Sequence, residues 1–432
     1  MKSDVLPVAV VGGGFSGVIT AVQLTRRGVP VMLFDGSGRM GLGVAYSTCE
    51  PAHLLNVPSG KMSAWPDRPG DFSDWLRNDG SSFAERRQFG AYLRGILDGA
   101  HGVERISSAV AGAERVSDGW LLRLVDGSTR AASALVLANG NQPPAPMSIG
   151  ASLPPERFVH NPWSEGAAEA VRRVAEEGGE VLILGTGLTM IDTVLSLGAA
   201  GYQGRVMALS RRGLLPRAHA NHAPAPVDMA EVPQGDLLAL WRWLRRRSGE
   251  VGFRAAVDAL RPFSHALWQG LSEEDQRRFL RHARAWWDVH RHRIAPQVAA
   301  RLAELVGAGK LEVAAGRLRA VQTYGQQLTV SIGRRGGREE ERRVSVIFNC
   351  TGPLGDMQRT EDPLLRELLE SGEIGIDHLG MGLAVDQASR AGERIWAVGP
   401  LTKGTYWEIV AVPDIRGQAA AVAENIKEEL AA

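Results

Sequence analysis

The run Val5 to Val11, then Gly12-Gly13-Gly14-Phe15-Ser16-Gly17, then Val18 to Arg27, decides the fold. An apolar run of strand length leads through a glycine turn into a segment whose Val18, Ala21, Val22 and Leu24 share one helical face. In a G-x-G-x-x-G turn the first glycine permits the turn, the second lets the backbone approach a pyrophosphate, and the third lets helix and strand pack closely. Those roles fall to Gly12, Gly14 and Gly17, with Ser16 a further candidate contact inside the turn. The helix N-terminus then stabilises the phosphate charge. Val29 to Phe34 reads as the next strand and ends at Asp35, about 20 residues beyond the glycines, where a carboxylate accepts ribose hydroxyls. A glycine-rich turn alone also serves plain packing. Strand, turn, helix, strand and terminal acid in this order specify a dinucleotide site.

The pattern returns farther along. Glu180 to Leu184 is a second strand, followed by Gly185-Thr186-Gly187-Leu188-Thr189-Met190 and a helix from Ile191 to Ala199 that carries Asp192. Met190 stands where the third glycine would be, a packing position, so the phosphate cradle of Gly185 and Gly187 persists. The next strand, Val206 to Leu209, ends in Ser210-Arg211-Arg212 where an acid would normally stand. A hydroxyl and two guanidiniums pair with a 2′-phosphate that a carboxylate would repel, which predicts NADPH over NADH. The same arginines also suit a solvated pair at a strand end.

With 432 residues the chain is too long for one ordinary core, and two or three domains are expected. Strand and helix alternation predicts α/β units with parallel, doubly wound sheets. A net charge of +1 supplies no global field for nucleic acid or an anionic membrane. Cys49 and Cys350 are too few for a disulfide framework or a cysteine-rich metal site. The segment from Met1 to Pro7 lacks a cationic stretch and apolar signal core, and no run approaches a membrane span, so a cytoplasmic enzyme is expected. His219 and His222, and His290 and His292, lack a recognised zinc spacing, so no metal is expected. A histidine beside a redox cofactor would suit proton transfer near neutral pH. Oligomeric state is not specified by any of these features.

Ala134 to Ala138 is a further buried-type strand, ending in Asn139-Gly140-Asn141-Gln142-Pro143-Pro144. From about Val227 to Gly307 runs an insertion with helical periodicity, rich in Trp and Arg, in which Ser272-Glu273-Glu274-Asp275 reads as a capping box. It reads either as a helical cap with a solvated basic face or as a lid whose arginines bind an anionic substrate group. Ile395 to Val398 is a last apolar strand ending at Gly399-Pro400, and Pro413-Asp414-Ile415-Arg416-Gly417-Gln418 opens an Ala-rich helix to Leu430.

Gly41-Leu42-Gly43-Val44-Ala45-Tyr46-Ser47, His53 to Val57, Lys61-Met62-Ser63, Asp71-Phe72 through Trp75-Leu76, Gly185 through Asp192, Ser210 through Arg217, Trp287 through Pro296 and Phe348 through Pro353 together resemble a broad family of FAD/NAD(P)-binding flavoproteins. More remotely the architecture is similar to class B flavin-dependent monooxygenases, including N-hydroxylating enzymes acting on amines and amino acids. The resemblance implies two Rossmann-like dinucleotide-binding domains with a helical insertion: an FAD domain from residues 1–165 and 341–432, and an NADPH domain at 166–340 with its cap at about 227–307. It implies FAD and NADPH as cofactors, with Asn56, Met62, Trp65, Gly140, Gly352, Gly399 and Ile415 joining the cofactor contacts. Lys61 and Asn56 are the implied catalytic candidates on a flavin-facing loop. Pro400 stands where related flavoproteins place an Asp, so one carboxylate contact to the ribityl chain is missing. The Baeyer–Villiger linker signature is absent; only Phe158-Val159-His160-Asn161-Pro162-Trp163 remains of it.

The implied activity is hydroxylation of a small amine- or carboxylate-bearing substrate by molecular oxygen through a C4a-peroxyflavin. Two alternatives stay open at this point: a reductase, dehydrogenase or Cys49-dependent peroxidase without oxygen insertion, and a non-enzymatic nucleotide-binding sensor.

Overall fold

A computed structural model describes residues 6–431; Val5, expected to begin the first strand, lies outside the described residues. The first sheet has six strands in the order Arg390–Gly392, Ile395–Ala397, Ala134–Leu137, Val8–Val11, Val31–Phe34 and Val103–Ile106. All pair in parallel except the short Arg390–Gly392 edge. Such strands are apolar on both faces because helices or further sheets cover both. Val8, Val10, Leu33 and Val136 face the Phe15–Arg26 helix and the Val412–Ala431 helix, whereas Ala9, Val11, Phe34 and Leu137 face a small antiparallel sheet (Val110–Val116, Gly119–Leu124, Thr129–Ala132) and the Pro363–Glu370 helix.

The second sheet has five parallel strands in the order Leu311–Ala315, Val206–Ser210, Val181–Leu184, Val346–Asn349 and Phe158–Val159. Two of its strands correct the domain limits read from sequence. Phe158–Val159, expected with the FAD domain through residue 165, pairs with Ile347 and Phe348 in the second sheet. Val346–Asn349, expected in the returning FAD segment from residue 341, also lies there. The second unit therefore begins before residue 158 and extends through residue 349.

The insertion is helical, as Leu237–Val251, Phe253–Leu260, Ser264–Gln269, Glu273–Arg278 and Arg284–Arg291 show. It has its own core, in which Trp243, Leu260, Trp268, Phe279 and Trp287 pack with Met381 and Trp407 of the returning segment. The Pro296–Gly307 helix, expected within the cap, instead buries Val298 and Leu302 against the second sheet. Ser272 caps its helix by accepting from the Asp275 amide, but the Asp275 carboxylate accepts from the Leu237 amide and Arg278, so the reciprocal box is not formed. Among the described residues, no helix is long and apolar enough to cross a membrane.

Candidate active site

Gly12 adopts φ +114°, and a Cβ there would overlap the Ala138 carbonyl oxygen; a Cβ at Gly17 would overlap the Gly12 carbonyl oxygen. Gly14, at the start of the helix, has only Gly43 Cα near, at 3.5 Å from an added Cβ. Asp35 follows the second strand. One of its carboxylate oxygens accepts from the Ser37 amide at 2.9 Å, while the other is buried without a partner. Buried carboxylate oxygens are rarely left unpaired. The orphan beside a glycine turn and a helix N-terminus fits an acceptor for ribose hydroxyls.

Gly399 adopts φ +76°, and a Cβ on it would overlap Ser16 Oγ and lie 3.8 Å from Ile415 Cδ1. Ser16, Gly399 and Ile415 therefore converge where the N-termini of the first and last helices meet. The Gly399 amide donates to Gln418 Oε1 at 2.7 Å. Gly140 (φ +70°) has open space around it, and the neighbouring Asn139 keeps a buried Oδ1 without a partner while its Nδ2 donates to Asp362.

In the second unit Gly185 adopts φ +112° and its missing Cβ would strike the Cys350 carbonyl oxygen; Gly187 and Gly352 face open space. Met190 is fully buried in the second core. The Ser210 hydroxyl is engaged by Thr186 at 2.9 Å and by the Gly213 amide at 3.0 Å, which ties the strand end to the turn. Arg211 and Arg212 are exposed, and among the described residues neither makes an ion pair. Two exposed guanidiniums beside the Ser210 turn fit a 2′-phosphate.

The resemblance-based loop residues separate. Trp65, expected as a cofactor contact, is 4 % exposed with the Arg26 guanidinium 3.6 Å above its ring and Arg68 at 5.0 Å. Arg26 is the last residue of the Phe15–Arg26 helix, so Trp65 packs on a side chain from the C-terminal end of that helix. Trp65 and Met62 are both buried in the first core. Asn56 lines a small cavity of about 20 Å³ between the units, and its carbonyl accepts from His219 Nε2 at 2.9 Å. Lys61 instead reaches a cleft of about 370 Å³ beneath the cap, so the two catalytic candidates are on different cavities.

Beside Lys61 this cleft is lined by Asp258, Arg261, Ser264, His265, Arg291, Glu408 and Asp414. Some of these charges are already paired. Buried Glu408 accepts from Arg291 Nε at 2.9 Å and from Trp287 Nε1 at 2.6 Å, and holds φ +69°. Asp258 pairs with buried Arg293 and with His222 Nε2 at 3.2 Å. Burial opposes the charge on Asp258, but the Arg293 guanidinium outweighs it and keeps the carboxyl below its usual range. Arg261 and Asp414 have no ion-pair partner within 4.0 Å among the described residues. Burial pushes the Arg261 guanidinium down and the Asp414 carboxyl up, the latter against the pull of Arg261 and Arg291. Lys61, on the same cleft, is likewise without an ion-pair partner among the described residues, so the cleft offers two cations and one acid that the fold itself leaves unspent.

Sequence reasoning missed Asp258, Arg261 and Glu408. Asp414 was visible at the start of the last helix, yet nothing local marked it as facing a cleft. Of the four histidines considered, His219 and His292 are pushed down by burial, and His290 accepts no metal-like company, donating locally to the Trp286 carbonyl. Among the described residues, no group of three or more His, Cys, Asp or Glu is arranged to hold a metal. Both cysteines are free thiols. Cys49 is exposed; Cys350 is buried, and burial pushes its thiol up to about 12.

Residues 9–142 match the family model for FAD-NAD(P)-binding domains. No curated protein matches the chain. Among solved structures, the ornithine N-hydroxylase of Kutzneria sp. 744 superposes with a TM-score of 0.66 at 17 % identity, covering 98 % of this chain and 99 % of that one. The L-lysine 6-monooxygenase of Pseudomonas syringae gives 0.63 at 15 % identity, covering 98 % and 99 %. The T. acidophilum thioredoxin reductase gives 0.55 at 12 % identity, covering 99 % of each. The chain thus has the two-dinucleotide-binding flavoprotein fold shared by N-hydroxylating monooxygenases and thioredoxin-reductase-like proteins.

Proposed function

We propose that the chain is an NADPH-dependent FAD monooxygenase that hydroxylates a small amine- or carboxylate-bearing substrate held beneath the helical cap. The observation that carries this reading is the cleft. Lys61, Arg261 and Asp414 line it, none with an ion-pair partner among the described residues, and Asp414 adjoins Ile415, which packs toward Gly399 and Ser16 where the two helix N-termini meet. The structural likeness to ornithine and lysine hydroxylases supports it.

FAD, when bound, accepts a hydride from NADPH and activates dioxygen; the chain supplies binding, orientation and enclosure. Asp35 takes the ribose hydroxyls of FAD, and the turn Gly12 to Gly17 seats its pyrophosphate. Gly185 and Gly187 seat the NADPH pyrophosphate, and Arg211 and Arg212 hold its 2′-phosphate. Cap residues Asp258, Arg261, Ser264, His265 and Arg291 form a wall of the cleft. Arg261 and Lys61 pair with a substrate carboxylate, and the Asp414 carboxylate, whose protonated form burial favours, is placed to take a proton from a substrate ammonium. Two free thiols and a chain without a membrane-crossing helix among its described residues accord with a cytoplasmic enzyme.

The test is a two-step rapid-mixing experiment on FAD-loaded protein, reduced anaerobically with NADPH and then mixed with oxygen and a panel of amines and amino acids. The expected result is a transient absorbing species before oxidised flavin returns, with one substrate converted to a hydroxylated product in step with NADPH consumed. Direct return to oxidised flavin, with hydrogen peroxide equal to NADPH for every compound, would leave a reductase or dehydrogenase. Flavin that NADPH does not reduce would leave a nucleotide-binding sensor.

A further inference from the structure

The two nucleotide units are joined by a built contact that the chemistry of neither site explains. His53 to Leu55 and Ala84 to Arg86 lie side by side: Leu55 N donates to Ala84 O at 2.8 Å, Arg86 N donates to His53 O at 2.9 Å, and Leu54 bridges Glu85. This short ladder belongs to the first unit, since Leu55, Ala84 and Phe89 are in its core. Its side chains reach across to the second-unit helix Leu188–Ala199. Arg86 makes a two-pronged pair with Asp192, Nη1 to Oδ2 at 2.8 Å and Nη2 to Oδ1 at 3.0 Å, with the side chains 14 % and 8 % exposed. His53 Nε2 donates to the Asp192 carbonyl at 3.0 Å and lies 3.1 Å from Ser196 Oγ. Arg86 is the first residue of the Arg86–Asp98 helix, where a cation opposes the helix dipole. Surface optimisation does not place an arginine there; a buried carboxylate partner does.

We propose that the Arg86–Asp192 pair is a positioning device that sets the seat of NADPH against the flavin. The inference rests on the reading that NADPH reduces FAD in this chain. Asp192 lies five residues beyond Gly187, or roughly 8 Å along the helix whose N-terminus bears the second nucleotide turn. A fork-shaped pair constrains orientation as well as distance, which a lysine or a neutral amide does not. Hydride transfer needs reacting atoms at about 3–3.5 Å, and a 1 Å misplacement far from the chemistry can cost about a hundredfold in rate. The first unit thus grips the NADPH helix close to its phosphate end.

The experiment uses the FAD-loaded full chain as wild type, Asp192→Asn and Arg86→Lys. Flavin content, the limiting rate of flavin reduction at saturating NADPH, and the rate at which oxygen reoxidises dithionite-reduced protein are measured for each. The expected result is a limiting reduction rate about tenfold or more lower in both variants, with flavin content and reoxidation rate as in wild type, since a merely structural contact would not slow one half-reaction alone. A variant that keeps its flavin and is reduced within about twofold of wild type overturns the pair's role. Should Asp192→Asn lose flavin, Arg86→Lys, which retains the charge, decides by the same criterion. Wild-type protein that NADPH does not reduce overturns the functional reading itself, and this proposal with it, a result distinct from normal wild-type reduction with unaffected variants.

Discussion

The two glycine turns of this chain solve one steric problem in different ways. At Gly17 the first helix passes so close to the Gly12 carbonyl that a single Cβ would overlap it. At the matching place in the second turn Met190 is accommodated and fully buried among Ile191, Val194 and Phe348. The strand ends diverge as well. The first carries Asp35 with a buried, unpartnered oxygen, the second two exposed arginines beside an engaged Ser210. The lesson is that the turn-forming glycines, Gly12 and Gly185, are held in place by backbone conformation and contact, whereas the third position follows local helix packing. On the proposed function, the charge at the following strand end is what would distinguish a ribose from a ribose phosphate.

That contrast can be broken most severely at Gly17. Gly17→Ala is expected to yield protein without bound flavin and destabilised by about 4 kcal/mol or more, because the obstacle is backbone and cannot swing aside. Met190→Ala opens a cavity worth about 2–5 kcal/mol of stability, yet should leave flavin content unchanged. Flavin absorbance and urea denaturation of the two variants check both outcomes. Equal flavin loss would mean the two turns are not specialised as described.

A smaller effect should sharpen the difference between the strand ends. Replacing Arg211 and Arg212 together by serine is expected to lower kcat/KM for NADPH by about 10- to 100-fold, the value of one or two charge-assisted contacts, with kcat/KM for NADH nearly unchanged. Steady-state flavin reduction with both nucleotides is the measurement. A parallel fall for NADH would show that the arginines serve the fold rather than the 2′-phosphate.

The smallest expected effect concerns the place where the chain returns from the second unit to the first. Half-buried Lys403 donates to the Leu354 carbonyl at 3.0 Å, and burial pushes its ammonium down from 10.5 to about 8. Between those values the unfolded chain binds more protons at this site than the folded one, so stability should rise as pH climbs from about 8 to about 10.5. Below about 8 both forms are protonated and the burial cost is fully present. Denaturant titrations of wild type and Lys403→Gln across that range should show the wild-type gain shrinking in the variant; identical slopes would reject the assignment.

The two glycine turns and the strands and helices around them were legible in sequence because each signal is local. A glycine with positive φ, a strand-length apolar run and the residue closing the next strand all lie within about 25 residues of one another. Phe158–Val159 escaped because a two-residue strand shows no periodicity, and its membership of the second sheet is decided by pairing with Ile347 and Phe348 nearly 190 residues later. The stacking of Arg26 on Trp65 was not legible, because the two residues lie in different segments and no short-range pattern links them. The cleft was illegible for the same reason: Lys61, Arg261 and Asp414 come from three distant segments, and no short-range pattern links them.

By itself the sequence determined two glycine turns between strand and helix, the opposite charges that follow them and a helical insertion between the second turn and the return to the first sheet. These depend on backbone sterics and side-chain periodicity, which neighbouring residues specify. Only the tertiary structure decided which sheet each short strand joins, that cap residues and Asp414 line one cleft, and that Arg86 meets Asp192 across 106 residues of chain. Such pairings become favourable only after the loops between them are closed and water is removed around both partners, and both conditions belong to the folded whole.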